Sequence, residues 1–282
     1  MKSRKEQEIK DFYKTRNESN WVKRYQSPYR LRRYYHRTNW EVISSLVSKS
    51  PIILDIGCGD GVLSVLMALK NEKQRVIALD ISEKDIQIAR KAAVIHGVND
   101  RIMCIVADGE NLPFKTESIS TIVCSHVLEH LPHFDKALQE IHRVLTKNGR
   151  AILALPLCLN PSAMVLLGGD NYWCISKKTL FAFWKGLLKV IYAWLKRKEG
   201  VNEGYSGQAD LLHIRRFPWK AIQRVEQSGL KVTRWMADSL LIPYLGCLIP
   251  SFMSLQRFID NRLRKKSFWR NFGVGIIMEV KK

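Results

Sequence analysis

The stretch Leu54-Asp55-Ile56-Gly57-Cys58-Gly59-Asp60-Gly61 decides the fold of this 282-residue chain. An apolar run starting at residue 51 leads into it, and an apolar helical pattern follows it as far as residue 70. A strand, a glycine-rich turn and a helix in this order are typical of doubly wound α/β folds, which bind ligands at that turn. The sequence therefore predicts a ligand site at residues 54–61.

The spacing within this turn indicates the kind of ligand. Gly57, Gly59 and Gly61 are spaced Gly-x-Gly-x-Gly, whereas dinucleotide sites carry Gly-x-Gly-x-x-Gly and hold a pyrophosphate on helix N–H groups. Asp55 and Asp60 would repel a pyrophosphate. The turn therefore favours a ligand that carries an ammonium group and no phosphate.

Strand and helix patterns alternate on both sides of the turn. Strands are predicted at residues 51–56, 75–80, 101–106, 120–124, 150–155, 230–236 and 272–280. Helices are predicted at residues 38–47, 61–70, 82–96, 134–145 and 218–228. This order predicts a Rossmann-like, doubly wound α/β fold with a mostly parallel seven-stranded sheet covered on both faces.

The segments that lie outside the alternating strands and helices indicate the domain organisation. Residues 1–38 are basic and rich in tyrosine, and we expect them to form an N-terminal helical arm. Residues 39–282 then form one domain, with two insertions at 157–216 and 239–269. Insertions of this length in a compact domain are usually lids or binding elements.

Acidic residues follow the second and third strands. Asp80, with Ile81 next to it, lies about 20 residues beyond the turn, where doubly wound folds place an acid that binds ribose hydroxyls. Asp108 can accept a hydrogen bond from an adenine amino group, and the following backbone N–H, of Gly109, can donate to a ring nitrogen.

Three motifs together resemble the class I S-adenosylmethionine (SAM)-dependent methyltransferases: residues 54–61, residues 108–114 (DGENLPF) and residues 127–130 (VLEH). The resemblance is close over residues 52–156 and looser over 213–235. It implies that SAM is the cofactor, with its methionine part at Asp55 and the glycines, its ribose at Asp80, and its adenine at Asp108 and Gly109. The full set of expected cofactor-binding residues is Asp55, Gly57, Cys58, Gly59, Gly61, Asp80, Ile81, Asp108, Gly109 and Ser125.

Histidines after the fourth strand are the candidates for proton transfer. Methyl transfer from a sulfonium is an in-line displacement, so a base is needed only if the acceptor arrives protonated. His130 is the preferred base, because acceptors of the resembling family usually approach at this point, and His126 is the second candidate. The alternative is that His130 only packs against or caps a helix.

The same segment offers an alternative as a metal site. His126, Glu129, His130 and His133 are spaced i, i+3, i+4 and i+7, which would place them on one face of a helix. Histidine and glutamate are competent ligands for zinc and other divalent metals. Pro132 interrupts this helix, so the prediction is that no metal is bound, with these four residues as the alternative.

Composition limits the partners and the compartment. The chain carries 46 Lys and Arg against 26 Asp and Glu, a formal net charge of +20, which attracts nucleic acid, anionic lipid or acidic substrates. It has no Cys-x-x-Cys pair, no signal-peptide pattern and no apolar run of the roughly 18 residues that a membrane span needs. We therefore expect a cytoplasmic protein, at most peripheral to the inner face of a membrane.

Both insertions favour contact with lipid. Lys178, Lys185, Lys189 and Lys196 fall on one stripe of a helix predicted at 177–198. Opposite this stripe the sequence places Leu180, Phe183, Trp184, Leu187, Ile191 and Trp194. Such a helix is either interfacial or an ordinary lid that buries its apolar face. Residues 239–256 carry no charge and precede the basic residues Arg262, Arg264, Lys265 and Lys266, as expected beside anionic headgroups.

These patterns predict a methyltransferase for a small, apolar or membrane-borne acceptor: a lipid, a quinone or a lipid-linked glycan precursor. An RNA methyltransferase is the first alternative, because Tyr25, Tyr29, Tyr34 and Tyr35 alternate with arginines and could stack on bases. A SAM-binding scaffold without activity is the second alternative.

Overall fold

The computed structural model of the chain describes residues 2–15, 26–167, 178–202, 212–240 and 252–282. The helices in these residues are α1 (Lys2–Thr15), α2 (Arg30–Leu46), α3 (Val62–Lys70), α4 (Glu83–Ile95), α5 (Phe134–Val144), α6 (Pro161–Leu167), α7 (Thr179–Leu195), α8 (Pro218–Gln227) and α9 (Phe252–Leu263). The strands are β1 (Ile52–Ile56), β2 (Arg75–Asp80), β3 (Ile102–Val106), β4 (Ile119–Ser125), β5 (Leu145–Pro156), β6 (Gly200–Asn202), β7 (Ile214–Arg216), β8 (Lys231–Ala237) and β9 (Gly275–Lys281).

Seven of these strands form one sheet in the order β3-β2-β1-β4-β5-β9-β8. The strands β1 to β5 pair in parallel, and β9 runs antiparallel to both β5 and β8. The predicted Rossmann-like, mostly parallel seven-stranded sheet is confirmed. The short strands β6 and β7 form a separate antiparallel pair inside the first insertion.

The central strands are apolar because both faces of the sheet are covered. Successive side chains of a strand point to opposite faces, and Ile53 and Leu54 accordingly belong to two different cores. Helices α2, α3 and α4 cover the face of Ile53, while α5 and α8 cover the face of Leu54. The sheet is therefore a rigid support whose strand ends can hold a site in fixed geometry.

The strand order sets the position of that site. Strand β1 pairs with β2 on one side and with β4 on the other, so the chain leaves the centre of the sheet in both directions from this point. A crevice opens outside the carboxyl ends of the strands at such a switch point. Residues 57–61 follow β1 directly at this crevice.

Helix α2 begins at Arg30, eight residues before the predicted start at residue 38. The reason is burial, because Leu31 and Tyr35 pack into an apolar cluster with Val165 and Val274. The Tyr35 hydroxyl also donates to Asp238 over 2.8 Å. Helix α2 thus runs through the predicted boundary at 38/39, and that boundary remains a prediction.

The first insertion contains α6, α7 and the β6–β7 pair, and the second contains α9. The apolar residues 241–250, on which part of the lipid prediction depends, lie outside the described residues. In the part of the chain that the structure describes, no helix has the length and apolar character needed to cross a membrane.

Candidate active site

The glycine turn after β1 folds back against β2. Gly57, Gly59 and Gly61 all have positive φ values, of 71°, 55° and 81°, which a residue with a Cβ adopts only with strain. The N–H groups of Gly57 and Cys58 both donate to the carbonyl of Leu79, over 2.7 and 3.0 Å. At Gly57 a Cβ would also collide with the side chain of Val127, so the close approach of β4 requires glycine there.

Three buried carboxylates surround this turn. Asp55 ends β1, Asp60 lies within the turn and Asp80 ends β2. Asp80 accepts hydrogen bonds from the N–H groups of Gly59 and Ser82, each over 2.9 Å. Both oxygens of Asp80 are thereby held at the turn.

The charge balance at the turn is unfavourable without a cation. The pKa of Asp55 is raised to about 7, chiefly by burial; the hydrogen bond that Ser64 donates over 2.5 Å opposes the shift, and the charge of Asp80 adds to it. Burial also raises the pKa of the Cys58 thiol, so this cysteine is protonated and unreactive. A ligand with an ammonium group would compensate the carboxylates, whereas a phosphate would add to their repulsion.

Helix α1 covers the predicted adenine residues. The Lys10 ammonium lies 2.5 Å from Oδ2 of Asp108 and 2.7 Å from the carboxylate of the fully buried Glu110. The other oxygen of Asp108 accepts from the N–H of Glu110 over 2.9 Å. Lys10 therefore binds the carboxylate of Asp108, which we expected to accept a hydrogen bond from an adenine amino group. No pattern in the sequence predicted this contact.

A small cleft opens beside the glycine turn. Its lining includes Asp55 and Asp60 from the turn, Ser125 and His126 from the end of β4, and His36, Asn39 and Trp40 from α2. The sequence assigned His36 to the arm and gave no role to Asn39 or Trp40. The hydrogen bond from Tyr35 to Asp238 anchors α2 beside this cleft.

His126 points into the cleft from the end of β4, with a positive φ of 56°. Its Nδ1 lies 3.4 Å from Oε1 of the buried Glu129, and its Nε2 lies 3.0 Å from Nδ2 of Asn39. Burial alone would raise the pKa of Glu129, but the hydrogen bond from His126 and the charges of His130, His126 and His213 lower it to about 2. Glu129 is therefore a carboxylate that favours a proton on Nδ1 and leaves Nε2 as an acceptor.

His130 lies behind His126 and is engaged by other groups. Its Nδ1 is 2.8 Å from the Tyr13 hydroxyl and 3.2 Å from the carbonyl of Leu212. Its ring stacks on His213 with centroids 4.6 Å apart. Of the two predicted bases, His126 is thus the one that lines the cleft, while His130 joins α1 to the end of the first insertion.

The helix through residues 126–133 that the alternative metal site requires does not form. Only Leu128–His130 form a turn, of the 3-10 type. Leu131 is extended, with φ −81° and ψ 133°, because the residue before a proline is pushed out of the helical region. His133 starts α5, and its N–H donates to Glu110. The four proposed metal ligands therefore do not share a helix face.

A different set, Glu129, His130 and His213, brings its ligand atoms within 4.8 Å of one another in the described part of the chain. The two imidazole planes differ by only 20°. The lone pairs of the two stacked rings therefore lie in nearly parallel planes, so a metal bound by both histidines would require one ring to rotate. The alternative metal site at His126, Glu129, His130 and His133 stays a prediction.

Residues 54–153 match a protein-family model described as a methyltransferase domain. Among curated proteins, the chain is 27% identical over 107 residues to a sterol 4-C-methyltransferase of Caenorhabditis elegans, a match of 38% of this chain and 31% of that protein. It is 32% identical over 114 residues to a ubiquinone/menaquinone biosynthesis C-methyltransferase of Brucella anthropi, covering 40% of this chain and 41% of that protein. The chain thus spans about a third to two fifths of the length of these relatives.

Solved structures extend the likeness of the fold to the whole chain. A geranyl diphosphate methyltransferase in complex with GPP and sinefungin superposes with a TM-score of 0.58, at 13% identity, over 99% of both chains. At this identity the comparison establishes the shared architecture and nothing about the acceptor.

Proposed function

We propose that this chain, a class I SAM-dependent methyltransferase whose residues 54–153 match the methyltransferase-domain model, transfers the methyl group of SAM to a small apolar or membrane-borne acceptor. The acceptor class comprises lipids, quinones and lipid-linked glycan precursors. The protein would act in the cytoplasm, at the inner face of a membrane.

The observation that carries this proposal is the set of buried carboxylates at the glycine turn. Asp55, Asp60 and Asp80 are buried at a turn where a Cβ at Gly57 would collide with Val127, and burial raises the pKa of Asp55. SAM fits this donor set because it carries an ammonium and a sulfonium and no phosphate. When bound, it supplies an electrophilic methyl group.

The residues beside the cleft support a proton-accepting role. We assign the general base to His126, which lines the cleft and whose Nδ1 lies 3.4 Å from Glu129. Asn39 donates to the Nε2 of His126 and would give way to an acceptor hydroxyl or amine. His130 is the second candidate for the base, because its Nδ1 already contacts the hydroxyl of Tyr13 in α1.

The names of similar proteins and the apolar lining of the cleft support the acceptor class. The relatives named above act, by their names, on a sterol and on quinones, and Trp40 gives the cleft an apolar wall. Base stacking by Tyr34 and Tyr35, on which the RNA alternative partly depends, is disfavoured, whereas Tyr29 is 43% exposed. The Tyr34 and Tyr35 hydroxyls donate to Asp260 and Asp238 within the fold, while Tyr25 lies outside the described residues.

Methyl transfer from labelled SAM tests the acceptor class. The protein is incubated with a bacterial lipid extract, with a quinone-containing extract and with total RNA, and the label is separated into organic and aqueous phases. We expect label in the organic phase, and none above background with Asp80→Ala as the matched blank. Label in RNA would establish the RNA alternative, and SAM binding without transfer to any acceptor would establish the scaffold.

Removing the ammonium of Lys10 should increase the affinity for SAM. In Lys10→Met, Asp108 is free to accept from adenine without displacing a cation, and we expect roughly fivefold tighter binding, the size of the partly exposed ion pair between Lys10 and Asp108. The ion pair with the buried Glu110 is lost as well, so a thermal melt checks that the variant is folded. Isothermal titration calorimetry measures this, with Lys14→Met on the same helix as control, since Lys14 only approaches Asp11 at 4.0 Å. Weaker binding in Lys10→Met would mean that Lys10 remains at the site in the complex.

A further inference from the structure

Helix α7 packs on its own domain through small side chains. Ala182, Gly186, Val190 and Ala193 are buried and follow each other at helical spacing. A Cβ at Gly186 would collide with the carbonyl of Met164 in α6, so α7 lies directly against α6 with no bulky side chain between them. The inward face of α7 is therefore the face of its smallest residues.

The bulky apolar side chains of α7 point away from the domain. Phe181, Leu188 and Leu195 are 74%, 66% and 65% exposed, and Trp184 and Trp194 are 56% and 60% exposed. At about 100° per residue, these side chains cover most of the face opposite the small residues. The sequence predicted an apolar face, but the structure adds that most of it is not used for packing on the domain.

Basic residues border this exposed face, and their charge is complementary to an anionic membrane surface. Lys185 and Lys189 lie one turn apart along α7, and Lys196, Arg197 and Lys198 follow its end, all exposed. Lys189 reaches back to the carbonyl of Leu167 over 2.6 Å. No acidic residue occurs within α7. An apolar face with a basic border and aromatic residues is the composition of a helix that lies in the headgroup region of an anionic membrane.

A second helix packs against the same apolar cluster as α7. Phe183 of α7 and Met253 at the start of α9 both contact this cluster. Leu255 and Phe258 of α9 are about half exposed, and Arg262 lies over the ring of Phe258. Both insertions thus carry exposed apolar residues together with basic ones.

The dimensions favour lying in the interface over spanning it. The 17 residues of α7 extend about 25 Å, shorter than a hydrocarbon core of about 30 Å. One side of the helix is also committed to α6. Exposed apolar surfaces of this kind mark sites of association in soluble proteins, and the basic border selects anionic lipid.

We infer that α7, together with α9, is the element that inserts into the surface of an anionic membrane, with Phe181, Trp184, Leu188 and Leu195 entering the acyl boundary and the lysines contacting headgroups. The inference deepens the proposed function by identifying its membrane contact. Vesicle binding is measured without methyl transfer, so a negative result for membrane insertion and a negative result for the proposed activity can be told apart.

Vesicle binding tests the inference. The full chain is cosedimented with phosphatidylcholine vesicles and with vesicles of phosphatidylcholine and phosphatidylglycerol in equal parts, at physiological ionic strength. We expect wild type to prefer the anionic vesicles, with a blue shift of tryptophan emission. Trp184→Glu with Leu188→Glu should weaken partitioning by about tenfold or more, and Lys185→Glu with Lys196→Glu should remove the preference for anionic lipid.

The controls separate insertion from loss of structure and from self-association. Trp219→Glu replaces a tryptophan of α8 that is 46% exposed and should leave partitioning unchanged. Calorimetric SAM binding checks that each variant is folded. Equal partitioning of wild type and the Trp184/Leu188 variant would overturn the inference, as would a dimer in sedimentation velocity that only this variant dissociates, because the face would then bind a second copy of the chain.

Discussion

Asp80→Ala should weaken SAM binding on the order of 100-fold or more. A carboxylate that accepts from two ribose hydroxyls forms two charge-assisted hydrogen bonds, each contributing about 1.5–3 kcal/mol. The substitution also removes the acceptor that holds the N–H of Gly59, so the glycine turn loses an anchor at the same time. Calorimetry with purified protein measures the affinity directly.

Two further variants make this result specific. Asp100→Ala removes a carboxylate whose side chain is 74% exposed ahead of β3, and it should bind SAM like wild type. Asp80→Asn keeps an acceptor for the turn and should lose less affinity than Asp80→Ala. Equal affinity in wild type and Asp80→Ala would contradict the cofactor assignment and leave only the shared fold.

The glycine turn could be predicted because its information is local. A strand, three glycines at fixed spacing and two carboxylates occupy residues 54–61, and their relation to Asp80 follows once β1 and β2 pair in parallel. The seven strands followed from the same periodicity. Wherever one segment and its immediate neighbour determine the geometry, the sequence was sufficient.

The contacts that complete the site join residues far apart in the chain. Asn39 meets His126, Lys10 meets Asp108, and Tyr35 meets Asp238, across 87, 98 and 203 residues respectively. Each pair depends on how a helix outside the central sheet is placed on it. No periodicity within either segment carries that information.

At helix α7 and at residues 126–133, sequence periodicity was insufficient to predict the structure, for two different reasons. In α7, bulky residues dominate any measure of hydrophobicity, and the small residues that make the actual contact, such as Gly186, are overlooked. At 126–133 the spacing fitted a helix, but the end of β4 and Pro132 constrain the backbone from both sides. Steric limits on single residues outweighed the spacing there.

His126→Ala should lower kcat by about 10²–10⁴-fold, the usual contribution of a positioned general base, with little change in the affinity for SAM. The geometric reason is that His126 lines the cleft, with its Nδ1 3.4 Å from Glu129 and its Nε2 3.0 Å from Asn39. Glu129→Gln should reduce kcat in the same direction, because an amide no longer stabilises the protonated imidazole. Because the pKa of Glu129 is lowered to about 2, the carboxylate itself contributes no titration in the working range of the enzyme.

Steady-state kinetics with the acceptor found by labelling distinguish this base from its rival. His96→Ala changes an exposed histidine at the end of α4 and should retain wild-type kcat. His130→Ala breaks the contact with Tyr13 and should alter the placement of α1 more than the chemical step, so we expect a larger effect on SAM affinity than on kcat. A loss of kcat in His130→Ala that exceeds the loss in His126→Ala would transfer the role of base to His130. Unchanged kcat in both would mean that the acceptor arrives already deprotonated, and that positioning alone supplies the catalysis.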